Sequence, residues 1–168
     1  STMSALGTAN GYQHLWRQAA GHNEASGTSI FTWITGNRFY SLSTLTTPAS
    51  EMVLVEAGAN DPDFNLRSEK AYIVREEGKK NHTFFSSIET HGTYDLQVEQ
   101  SDNLTSSCLG LRLVADTPDY TVAVADYRDG HSVTLCVSNR TADAAVRHSV
   151  KTSEGRFEWI GPYDVKIK

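Results

Sequence analysis

Apolar residues recur along this chain with a period of two, not the 3.6-residue period of a helix. In Ser29-Ile-Phe-Thr-Trp-Ile-Thr35 and Arg38-Phe-Tyr-Ser-Leu-Ser-Thr-Leu45, β-branched and aromatic residues crowd into short runs. Only Gly36 and Asn37 separate them, a two-residue loop able to take positive φ, so the spacing predicts a hairpin. Thr121-Val-Ala-Val-Ala-Asp-Tyr127 and Ser132-Val-Thr-Leu-Cys-Val137 flank Asp129-Gly130 and predict a second one. Glu77-Gly78 and Glu154-Gly155 mark two more turns. Further strands are expected at Gln13–Ala19, Met52–Glu56, Ala71–Arg75, Thr83–Glu89, Leu109–Ala115, Val146–Lys151 and Val165–Ile167. No window of ten or more residues reads as an amphipathic helix. Roughly a dozen strands with turn signals every 8–12 residues or so predict an all-β fold, an antiparallel two-sheet β-sandwich. The most polar stretch, residues 101 to 107, is expected to be a loose loop.

At 168 residues the chain reads as a single domain, 1–168, long enough to bury a real core. Its 39% hydrophobic and 21% charged residues are an ordinary globular mix. The net charge of −5 is the wrong sign for a nucleic-acid binder, so no nucleic-acid partner is expected. It also speaks against a broad electrostatic grip on an anionic polymer; any such contact must come from a few local cations. No apolar run approaches the roughly 18 residues of a membrane span, and no membrane partner is expected. No charged-then-apolar leader is visible at the start. Ser1 and Thr2 ahead of Met3 read as a cut site, so the chain is expected to be part of a longer protein. Cys108 and Cys136 both sit in apolar strand patterns, as two buried thiols or as one disulfide pinning two strands.

The densest chemistry lies in Gly58-Ala-Asn-Asp-Pro-Asp-Phe-Asn-Leu-Arg-Ser-Glu69, between the apolar runs Met52–Val55 and Ala71–Val74. Asn60-Asp61-Pro62 opens a turn. Arg67 can fork onto Asp61, Glu69 or a backbone carbonyl and lock the segment. Alternatively, the loop presents Asn60, Asn65 and Arg67 to a sugar carboxylate or hydroxyl. In Glu89-Thr-His-Gly-Thr-Tyr94, Glu89 and His91 are two apart and share a strand face, with Tyr94 beyond Gly92. A carboxylate, an imidazole and a phenol together could move protons, or could simply end a strand. Tyr12, His14 and Trp16 alternate, as do Phe31 and Trp33; such strips stack on sugars or fill a core. The six histidines show no zinc-ligand spacing, and no metal or cofactor is expected. No Gly-x-Ser-x-Gly, P-loop or dinucleotide fingerprint occurs. Asn81, Asn103 and Asn139 fit glycosylation acceptors.

Gly58–Glu69, with Asn10-Gly-Tyr-Gln-His-Leu-Trp16, Gly36-Asn-Arg-Phe-Tyr40 and Ile88-Glu-Thr-His-Gly-Thr-Tyr94, resembles the C-terminal β region of heparinase II/III-like polysaccharide lyases, and within them the oligoalginate lyases. The blocks span about residues 10 to 95. The resemblance implies a β-sandwich that partners a helical toroid domain, in bacterial enzymes of periplasmic or secreted location. It implies β-elimination on uronate-containing chains. The catalytic tyrosine and histidine and the structural zinc ligands of such lyases lie in earlier parts of the protein. No catalytic or metal residue is therefore carried onto this chain. The chain is expected to support catalysis in a parent lyase and to be inactive alone. The competing expectation is an autonomous carbohydrate-binding or adhesive sandwich.

Overall fold

The computed structural model describes residues 4–58 and 69–168. It is all-β, antiparallel and of sandwich type, as the period-two pattern requires. By its internal packing the chain divides into two compact units, Ser1–Ser26 with Thr46–His82, and Gly27–Leu45 with Thr83–Lys168.

The first unit is one sheet of β1 (Ser4–Ala5), β2 (Leu15–His22), β5 (Ser50–Ala57) and β6 (Glu69–Glu76), strands being numbered along the chain, in the order β1-β2-β5-β6. β5, the apolar one of the two inner strands, holds Val53 and Val55 wholly buried. Tyr12–His14 is a single 3₁₀ turn, not the start of a strand. Asn10 and Gly11 both take positive φ (57° and 89°) and break the extended chain there. Tyr12 and His14 therefore do not alternate with Trp16 on a sheet face.

The second unit holds two four-stranded sheets. One is β3 (Gly27–Thr35), β4 (Arg38–Thr46), β7 (Ser86–Asp95) and β8 (Gln100–Asp102); the other runs β14-β11-β10-β9. In the second sheet β9 is Cys108–Asp116, β10 Tyr120–Tyr127, β11 Ser132–Ser138 and β14 Tyr163–Ile167. A separate hairpin joins β12 (Arg147–Thr152) to β13 (Gly155–Ile160). Val122, Ala123, Val124 and Ala125 of β10 are all buried, so this strand is covered on both faces. On one face Ala125, Leu111 and Cys108 pack against Leu45 and Phe85. On the other, Val122 and Cys136 pack against Trp159, with Val150 and Phe157 of the hairpin alongside. A register shift between Asp126 and Tyr127 leaves Leu109 as the extra residue. That bulge turns Cys108 and Leu111, three apart, toward the same core. The two cysteines are free, buried thiols in separate clusters.

Both expected hairpins form. The second is a three-residue loop, not a two-residue one. Gly130 N donates to Tyr127 O at 3.1 Å and Tyr127 N to His131 O at 3.0 Å. Gly130 takes φ 90°, a type I turn closed by a left-handed glycine. A Cβ at Gly130 meets nothing within 4 Å, so the cost of a side chain there is conformational alone. Gly130→Val is expected to lower stability by about 1 kcal/mol, read from urea midpoints; an unchanged midpoint would contradict the turn.

Residues 101 to 107 are not loose. Residues 101 and 102 belong to β8, and Asn103 and Ser107 are tied to β7 by bonds to the His91 and Glu89 side chains. Residues 101 to 105 are exposed, while Ser106 and Ser107 turn inward and serve as partners inside the protein.

Candidate functional site

Strand β7 carries the polar cluster that the sequence singles out. Ser87, Glu89 and His91 alternate on one of its faces, the face that Leu45 of the adjoining β4 shares with the core. His91 is 8% exposed and Ser41, on β4, is fully buried. The Ser41 hydroxyl and His91 Nε2 are 2.8 Å apart, and Thr32 Oγ1 lies 2.6 Å from Ser41 Oγ. His91 Nδ1 lies 2.8 Å from the Asn103 carbonyl. A carbonyl only accepts, so Nδ1 carries the proton, Nε2 accepts from Ser41, and Thr32 donates to Ser41. Phe39 stacks on the imidazole with centroids 6.2 Å apart. Glu89 accepts from Ser107 N at 2.7 Å and from the Ser107 hydroxyl.

A serine bonded to a histidine is the pairing of a nucleophile with its base. Here the hydroxyl is sealed from solvent and is spent between Thr32 and His91. Burial pushes the Glu89 carboxyl up, but bonds from Ser106 and Ser107 and the nearby His91 outweigh it and hold the group below its ordinary range. A general base for a sugar C5 proton needs the opposite shift, toward working pH. Tyr94 is not brought to this pair. Beyond Gly92 it lines an open hollow with Asn37, Thr93, Asp95, Leu96 and Gln97, its backbone N bonded to Asn37 O at 2.9 Å. Glu89 and His91 are thus assembled as a structural network that ties β3, β4 and β7 to residues 103–107.

The aromatic pair Phe31 and Trp33 extends to Tyr40, with centroids 5.8 and 5.6 Å apart and planes within 27° and 17° of parallel. Rings stacked on one another present edges, not faces, so this strip is a poor platform for a sugar ring. Around Tyr120, His148 and Trp159 the rings meet at 5.1–5.6 Å. His148 Nε2 and Trp159 Nε1 are buried there without a partner among the described residues.

The first unit holds a charge cluster that the sequence reading missed. Glu51 is almost fully buried, with Arg75 bonded to its carboxylate through Nε and Nη2. Arg17 Nη2 approaches at 3.4 Å and His22 Nε2 at 4.0 Å. Glu51 and Arg75 are directly opposed across β5 and β6. The signal was available: a carboxylate opening one apolar run and an arginine closing the next meet when the runs pair antiparallel. The two guanidiniums, 47% and 39% exposed, leave a local positive excess on an acidic chain.

Asn60, Asn65 and Arg67 lie outside the described residues. Among the described residues no group of three or more His, Cys, Asp or Glu is placed to hold a metal ion, and no helix is long and apolar enough to cross a membrane.

No family model matches the chain. It is similar to the exo-oligoalginate lyase of Saccharophagus degradans, at 36% identity over 172 residues, covering 100% of this chain and 23% of that protein. It is similar also to the alginate lyase of Stenotrophomonas maltophilia, at 34% identity over 165 residues, covering 97% of this chain and 22% of that protein. The chain therefore spans less than a quarter of the length of the curated relatives it matches. Over essentially its whole length it is homologous to a segment of alginate lyases.

Proposed function

We propose that this chain is the C-terminal β-domain of a polysaccharide lyase of heparinase II/III-like type. The lyase cleaves a uronate-containing polysaccharide, alginate foremost, by β-elimination, and this domain supports the chemistry without carrying it. One observation carries the reading: the end-to-end match to about a fifth of two alginate lyases. The site geometry supports the division of labour. β-Elimination needs a base poised near working pH and an exposed acid, whereas Ser41, Glu89 and His91 are committed to holding strands together. The partner within the longer protein is a helical domain that walls the cleft, and the location is periplasmic or secreted. Asn60, Asn65 and Arg67 are the proposed substrate contacts, on a polar segment between two paired strands; an arginine fork suits a uronate carboxylate.

The test compares the 168-residue chain with the full gene product on alginate oligosaccharides, following the ultraviolet absorbance of the unsaturated uronate. The short chain is expected to be silent and the full product to turn over. Enzyme-like turnover by the short chain would overturn the supporting role, and a silent full product would overturn the lyase. Arg67→Lys keeps the charge but loses the planar fork. In the full product it is expected to lower turnover and to lower stability by roughly 1–3 kcal/mol. Unchanged melting and unchanged turnover would remove Arg67 from the site.

A further inference from the structure

Strand β14 is amphipathic, and it points its apolar side at solvent. Tyr163, Val165 and Ile167 are 65%, 52% and 72% exposed. Asp164 and Lys166, between them, are less exposed than these apolar neighbours. The two charges lie on the face shared with Thr134 and Cys136, where Lys166 Nζ donates to Glu158 O at 2.5 Å. A surface strand of an antiparallel sheet ordinarily faces the other way, polar side out.

The apolar face extends beyond one strand. Tyr163, Val165 and Ile167 stand directly opposite Val137, Leu135 and Val133 of β11, and opposed residues share a face. Leu135 in turn opposes Ala123, and Ala123 opposes Leu113. A groove lined by Phe84, Phe85, Leu113, Ala123, Leu135 and Val137 joins the patch to the core. Leu45 and Phe85 close the β9–β10 half of this surface; Val133, Leu135 and Val137 of β11 are half-buried, and Tyr163, Val165 and Ile167 of β14 are left exposed. Three large apolar side chains exposed side by side on one strand, continuous with half-buried apolar neighbours, mark an interface, not ordinary exposure.

We propose that the β11–β14 face is a docking surface for a further segment of the same polypeptide, one that lies outside these 168 residues and packs on it as an apolar layer. The proposal rests on the reading of the chain as part of a longer lyase. Two observations select this occupant. More than three quarters of the length of each relative lies outside the matched span, so chain enough to cover the face exists in proteins of that kind. The six side chains of the patch carry no charge, which fits an apolar layer and not an anionic uronate polymer.

The experiment places a thiol on the face with Val165→Cys. Cys108 and Cys136 are 2% and 0% exposed, so a maleimide reads the introduced group. Labelling is timed in the 168-residue chain and in the full gene product, with the mass of each measured by light scattering. The short chain is expected to label rapidly as a monomer, and the full product to label about 100-fold or more slowly, as a covered site should. Equal rates overturn the proposal. Slow labelling of a short chain of doubled mass assigns the face to a second copy and overturns it. Slow labelling of a monomeric short chain assigns it to residues within these 168, and a gene product no longer than 168 residues leaves no occupant; both overturn it. Ile167→Glu gives an independent reading: little effect on melting of the short chain, a clear loss in the full product. Uronate release by the same full product separates the two ideas. A covered face in a protein without lyase activity retains the docking surface and removes the lyase. An open face in an active lyase does the reverse.

Discussion

Gly92→Ala is expected to cost about 3 kcal/mol or more of stability. Gly92 sits within β7 at φ 53°, a region alanine enters only at a cost of about 1 kcal/mol. Space is the greater obstacle. A Cβ there would lie 2.2 Å from the Asp102 carbonyl oxygen and 2.3 Å from that of Asn103. Both are backbone atoms, so relief requires β8 and the segment after it to move. That movement pulls the Asn103 carbonyl from His91 Nδ1 and leaves a buried imidazole N–H unpaired. Gly130→Ala supplies the internal control. Its φ of 90° carries the same conformational penalty, but its Cβ points into open space, so it should cost only about 1 kcal/mol. Urea denaturation of the three proteins is the measurement. Equal midpoints for the two alanine variants would show that residues 102–103 yield freely and that the close approach is not a constraint.

The alternation of Ser29–Thr35 and Arg38–Leu45, and of Thr121–Tyr127 and Ser132–Val137, was enough to foresee the hairpins of β3–β4 and β10–β11. Short-range pattern and turn chemistry decide such elements together. What was not legible depends on atoms far apart in the chain. Residues 101 to 107 read as a loose loop because polar side chains dominate them, and 101 to 105 are exposed; yet the Asn103 carbonyl and Ser107 serve His91 and Glu89, and composition does not name a partner. β13 alternates in Arg156-Phe-Glu-Trp-Ile160 and pairs with β12 across the Glu154-Gly155 turn, a strand not named among the sequence expectations. The three-residue spacing of Cys108 and Leu111 looks irregular until the bulge at Leu109 is known. For the site, the shared face of Glu89 and His91 followed from the strand period, but their role did not. Whether a carboxylate is a base or a strut is set by what donates to it, here Ser106 and Ser107. Asn60, Asn65 and Arg67 fall outside the described residues, so their part rests on the proposal above.

Lowering the pH from about 4.5 toward 2 is expected to remove on the order of 3 kcal/mol of stability through Glu76 alone. Glu76 ends β6, and its carboxylate clamps the turn that leads into β5. Thr47 Oγ1 donates to it at 2.6 Å, Ser50 Oγ at 2.5 Å and Lys79 Nζ at 2.9 Å. Its side chain is 2% exposed. Burial alone would push the carboxyl up, but the bonds from Ser50, Thr47 and Lys79, with His82 nearby, outweigh it and hold the group at about 2. The sign follows from which state holds the proton more tightly. The unfolded chain binds it near 4.5, the folded chain only near 2, so the stabilisation is complete above 4.5 and is lost as pH falls through 2. Other carboxylates with lowered values, Glu89 and Glu154 among them, add their own slopes. The informative quantity is therefore the difference between the starting chain and Glu76→Gln. The amide keeps the shape but cannot accept from all three donors, so the variant is expected to be weaker at pH 7. Its urea midpoint should fall less steeply with acid, and the two curves should converge near pH 2. Parallel curves across that window would show that the clamp does not titrate and would shift the acid sensitivity to the remaining carboxylates.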